Sequence, residues 1–149
     1  MVIKDMLPIN QESNTRIKLI DELTKIGFLD GRSLTTEELK NTKNQLIFWE
    51  DILDVEVAQN KEFYLVFTIG IPKSSFADNV NLETIVPIEL DLFTTQAIDS
   101  KGMFDLRNKL ETELASSSDF INLQLTNKGF EPNFKLNALS YRIERRITY

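Results

Sequence analysis

The chain has 149 residues, 42% hydrophobic and 27% charged, with only five Gly and four Pro. That composition fits one folded domain with an ordinary core and excludes wholesale disorder. It contains no Cys and no His, which excludes disulfides, thiolate nucleophiles, cysteine metal sites and imidazole acid–base chemistry. A formal charge of −6 opposes adhesion to a nucleic-acid backbone, and no apolar run reaches the roughly 18 residues of a membrane span.

Residues 1–13 read as an arm, polar after Pro8 and unlike a secretory leader, and residues 14–149 as one domain. From Asn14 to Ile26, Ile17, Ile20, Leu23 and either Leu19 or Ile26 recur at three- and four-residue spacings, which predicts an amphipathic helix capped by Ser13 or Asn14 and stopped at Gly27. A turn is expected at Asp30-Gly31. Thr35-Thr36-Glu37-Glu38 marks a second helix start with acids in its first turn. Its extent is left open, because Leu46, Ile47, Phe48 and Trp49 form a continuous apolar run that periodicity does not assign.

Glu62–Ile71 is rich in aromatic and β-branched residues and predicts a strand, followed by the loop PKSSFADNVN. In TIVPIELDLFT, Val86, Ile88, Leu90 and Leu92 alternate with Pro87, Glu89, Asp91 and Phe93; this is a strand, with Pro87 suggesting an edge or an early strand position. Met103, Leu106, Leu110 and Leu114 define an amphipathic helix over 101–115. Phe120–Thr126 alternates as a half-buried strand, a loop is expected at Asn127-Lys128-Gly129, and Leu139–Tyr149 alternates as a final strand. The expected fold is α+β, a mainly antiparallel sheet of about four strands packed by the helices at 14–26 and 101–115.

No P-loop, dinucleotide fingerprint, nucleophile elbow or EF-hand spacing occurs. No catalytic, cofactor or metal residues are therefore assigned. Glu89 and Asp91 share a strand face, where a solvated polar face is favoured over an acid pair. Glu50, Asp51, Asp54 and Glu56 lack the spacing and turning Gly of a cation loop. Lys73, Ser74 and Ser75 have no partner motif for a Ser–Lys hydrolase. The candidates that survive are interface residues: Phe48 and Trp49 as aromatic anchors, with core packing the competing role; Lys73 and Phe76 in the loop after the first predicted strand; and Arg142, Arg145 and Arg146 as a small basic patch on the last strand, interrupted by Glu144.

Three stretches in this order, the helix NTRIKLIDELTKIG, the strand-to-helix unit VPIELDLFTT to GMFDLRNKLETELAS, and the closing strand LSYRIERRITY, resemble the tail terminator or tail-completion proteins of long-tailed bacteriophages. The resemblance spans most of residues 14–149 and is one of pattern. It implies a small α+β subunit without catalytic residues or cofactor, forming a homohexameric ring that caps the tail tube. The implied partners are copies of itself, the tail tube protein and head connector proteins, with neither sequence-specific nucleic-acid binding nor membrane contact. The implied location is the virion tail or neck, after assembly in the host cytoplasm. PKSSFADNVN is then the candidate for a loop facing the lumen or a neighbour, and an acidic subunit suits a ring through which DNA passes without sticking. The stretch from Ser33 to Asp54 is longer than the family pattern leads one to expect. Two other classes are weighed: a cellular binding module of adaptor or immunity type using the aromatic run and the acidic 50–56 segment, and a carboxylate-dependent enzyme built on Glu89 and Asp91.

Overall fold

In the computed structural model, residues 8–149 are described apart from 43, 51, 77–81 and 149, and the side chains of 8–10 and 76 are likewise left undescribed. Seven strands form one mixed sheet, and four α-helices and a 3-10 turn pack on it, among the described residues. The α+β class is as expected, whereas the sheet is larger than the four antiparallel strands read from the sequence. The chain runs α1 (Pro8–Lys25), β1 (Phe28–Asp30), a 3-10 turn (Gly31–Ser33), α2 (Thr36–Asn41), β2 (Leu46–Glu50), α3 (Val55–Gln59), β3 (Phe63–Ile69), β4 (Lys73–Phe76), β5 (Leu82–Thr94), α4 (Lys101–Ser116), β6 (Phe120–Glu131) and β7 (Leu136–Thr148). None of these helices is long and apolar enough to cross a membrane.

The strand order is β1-β2-β3-β5-β7-β6, with β4 paired to β5. β1, β2 and β3 are parallel neighbours, and the remaining pairs are antiparallel. Parallel strands need crossover connections, and the 3-10 turn, α2 and α3 supply them. This is where Ser33–Asp54 goes. Thr35 caps α2 through a reciprocal capping box with Glu38, as the Thr-Thr-Glu-Glu start implied. The helix ends at Asn41, and the apolar run becomes β2.

The two halves of the sheet are covered differently. On one face, Leu19 and Leu23 of α1 and Met103, Leu106, Leu110 and Leu114 of α4 meet the inward residues of β3, β5 and β7. On the other face, Leu39 of α2 and Ala58 of α3 cover Ile47, Tyr64 and Val66. β3 is thus buried on both sides, and Phe63–Phe67 lacks any polar alternation for that reason. Among the described residues no helix covers most of the opposite face of β5 and β7, so there Glu89, Arg142 and Arg146 lie open to solvent.

Other boundaries differ in instructive ways. α1 starts at Pro8, so Ser13 and Asn14 lie inside the helix and residues 8–13 are not an arm; residues 1–7 lie outside the described set. Proline suits a first helical turn, whose amide donors have no intrahelical partner. Leu19 and Leu23 are fully buried, with Ile20 and Ile26 partly covered, while Ile17 is 51% exposed. β6 runs through Asn127-Lys128-Gly129 to Glu131, and the turn falls at 132–135 with Lys135 at φ +54°. Pro87 sits mid-strand, flanked by β7. The Gly70 N–H donates to its carbonyl at 2.8 Å, so its missing donor faces the interruption where the register steps by one between β3 and β4.

Candidate interaction surfaces

The residues proposed as interface anchors separate once they are placed on the sheet. Phe48 is fully buried beneath α1, with its ring centroid 6.0 Å from that of Phe67. It is a core residue and offers nothing to a partner. Trp49, its neighbour on β2, points to the opposite face and is half-buried in the smaller core under α2 and α3. Its indole Nε1 is shut off from solvent without a hydrogen-bond partner among the described residues. Strand alternation accounts for the split, since successive side chains face opposite sides.

The expected basic patch is likewise divided. Arg145 faces the helix layer, is 7% exposed and donates to Thr15 Oγ1 of α1 at 3.2 Å, so it is part of the α1–β7 packing. Arg142 and Arg146 lie on the open face, where they pair with Glu89 at 3.6 Å and Glu83 at 3.7 Å on β5. Register explains the first pair, because Glu89 sits directly opposite Arg142. Exposed pairs of this kind contribute about 0–1 kcal/mol each. Asp91 accepts from Ser140 Oγ at 2.7 Å. Glu89 and Asp91 are therefore held as ordinary cross-strand partners.

The 50–56 acids do not converge. Glu50 is held by Arg16 at 3.5 Å and by Arg32 at 3.9 Å, and Asp54 caps α3 by accepting from the Val57 N–H. Glu56 is exposed on α3, and Asp51 lies outside the described residues. Among the described residues no three His, Cys, Asp or Glu side chains gather as a metal site. Lys73 opens β4 and is exposed, and Ser74 shares a 2.8 Å hydroxyl contact with Thr84. Of the loop read as PKSSFADNVN, Lys73–Phe76 is strand β4, and 77–81 lie outside the described residues. Phe76 ends β4 opposite Leu82.

One surface was not read from the sequence. Between the second half of α4 and β6 lies an open groove of about 590 Å³, floored by Leu114, Ala115, Ile121, Leu123 and Leu125. Leu123 and Leu125, packed against the core under α4, are half-buried because α4 does not fully cover this outermost strand, whereas Ile121, before a bulge, pairs with Glu144 on the other face. Alternation along 120–126 was the available signal, but it does not say which strand lies at an edge. At the polar end of the groove the Tyr141 hydroxyl donates to Glu111 Oε1 at 2.8 Å, while Arg107 reaches both Tyr141 Oη and Glu111 Oε1 at 3.4 Å. Phe104, 55% exposed, adjoins Arg107 and Glu111 on the same flank of α4.

Burial, reinforced by the bond to Glu111, pushes the Tyr141 phenol up to about 12. A raised folded pKa favours the neutral phenol, so its stabilisation is complete below the unfolded value near 10 and is lost as pH climbs through about 12. In a tyrosinate absorbance titration Tyr141 is expected to ionise late, together with alkaline unfolding, alongside Tyr64, whose phenol pKa burial also raises. Tyr141→Phe should remove its share of that late ionisation and leave the Tyr64 share. Elsewhere, Lys25 Nζ bridges α1 and α4, 3.2 Å from Glu22 and 4.0 Å from Glu113, and a hydrogen bond with Glu22 raises the Glu113 carboxyl pKa.

No protein-family model and no curated protein sequence matches this chain.

Proposed function

We propose that this chain is a structural subunit of a tailed-phage virion, of the tail terminator type. In this reading it forms a ring, six copies by the family resemblance, that caps the tail tube and offers a docking surface to the head connector. It acts by shape. The observation that carries the reading is that one sheet has open flanks on opposite sides: among the described residues, β1 and β4 on one side and β6 on the other have no strand neighbour beyond them. Unpaired strand edges invite contact with another chain, and contact between two different flanks is head-to-tail, which yields rings when the rotation closes. The formal charge of −6 supports a lumen through which DNA slides without adhesion.

The competing reading, a cellular module binding through Phe48, Trp49 and the 50–56 acids, has less support, because Phe48 is in the core and Glu50 is held by two arginines. Native mass spectrometry over a concentration series, with negative-stain images of the same samples, tests the proposal. Closed rings with an open centre are the expected result; a monomer or a closed dimer at every concentration would count against it.

A further inference from the structure

We propose that the Ile71-Pro72-Lys73 corner of one copy seats in the α4–β6 groove of the next, forming the contact through which copies of this chain join head to tail. The inference deepens the ring reading above and rests on it. The corner is the interruption between β3 and β4, where the register step turns the backbone outward. Ile71 there is 78% exposed, the largest exposure among the large hydrophobic residues described. Two residues on, Lys73 is exposed and makes no ion pair among the described residues.

The groove complements this corner in both respects. Its floor is apolar, with Leu123 and Leu125 incompletely covered. Its polar end shows more acid than base to solvent: the Glu111 side chain is 41% exposed against 22% for Arg107, and exposed Asp105 lies on the same flank of α4. An isoleucine beside a lysine therefore meets an apolar floor beside a carboxylate.

Position in the sheet sets the kind of contact. β3 and β4 lie on one side of β5, and β7 and then β6 on the other, so about three strand spacings, roughly 14 Å, separate corner and groove. A copy cannot fill its own groove. The two features also share a level along the strands. Gly70, next to Ile71, donates to the Pro87 carbonyl, Pro87 pairs with Glu144, and Glu144 in turn pairs with Ile121 at the groove.

The test uses two surface variants and their mixture. Ile71→Asp spoils the corner and leaves the groove. Ala115→Arg, at an exposed helical position on the groove floor, fills the groove and leaves the corner. Circular dichroism melts check that both fold. By native mass spectrometry each variant alone is expected to stay monomeric where the wild type assembles, and the mixture is expected to give a 1:1 complex and nothing larger. Lys73→Glu should weaken assembly about tenfold, the loss of one favourable charge contact. Rings that survive Ile71→Asp would overturn this inference and leave the ring reading standing. A 1:1 mixture alongside open chains of wild type would uphold the contact and sink the closed ring. Two folded variants that form no complex at any concentration would overturn the contact outright.

Discussion

Leu90→Ala is expected to cost about 2–5 kcal/mol of stability, the range for emptying a well-packed leucine site. Leu90 is fully buried at the middle of β5, opposite Phe67 on one side and Tyr141 on the other. It belongs to the core under α1 and α4. Both neighbouring strands hold it in register, so the surroundings have little freedom to close on the vacated volume. For a chain of this size the loss corresponds to a fall of roughly 4–20 °C in melting temperature. Urea denaturation followed by circular dichroism reads it directly, and an unchanged slope with a lower midpoint would mark a native-state effect. A loss below about 1 kcal/mol would mean that the core is more plastic than its burial implies.

Gly31→Val is the second large effect, and it acts through crowding. A Cβ at Gly31 would lie 2.5 Å from Trp49 Cε3, 3.0 Å from the Phe48 carbonyl oxygen and 3.1 Å from Ile47 Cγ2. The first contact is a ring carbon that could turn aside; the second is strand backbone that cannot move without disturbing β2. The expected cost is about 1–3 kcal/mol, the usual scale for overpacking. Gly129→Val is the matched control, because nothing lies within 4 Å of a Cβ there. Both variants are compared by thermal and urea unfolding. Equal stability in the two would show that the 3-10 turn can lift away from β2.

Elements whose apolar residues kept a single period were legible in the sequence. The 101–115 stripe became α4, with Met103, Leu106, Leu110 and Leu114 all buried, and the alternations read at 84–94 and from Leu139 onward fell within β5 and β7, each of which starts two or three residues earlier. Where both faces of a strand are covered the period vanishes, and for that reason β2 could not be told from the end of a helix. β1, three residues long, is defined by its parallel neighbour more than by its own composition. The interface candidates depended on facing, which a strand's parity gives only relative to its neighbours. Arg145 turned inward and Arg142 and Arg146 outward, as alternation requires, but Phe48 and Trp49 were separated by the same rule applied to an element whose existence was open. The groove beside β6 had no sequence signature because it arises from strand order, which brings a late strand to the edge and a later one to the interior.

That placement of β7 bears on how the protein is made. β7 lies between β5 and β6, and it is synthesised after both. Until it leaves the ribosome, β5 lacks its neighbour along one whole side and β6 has none at all. The helix-facing residues Leu139, Tyr141 and Ile143 are also still missing from the core. The nascent chain thus carries two incomplete sheet edges and an unfilled apolar face, the features that expose a folding intermediate to aggregation. β7 acts as the joining stave: β1 to β5 already share a sheet without it, but β6 is attached to them only once β7 has been synthesised, so the complete sheet waits on this one strand.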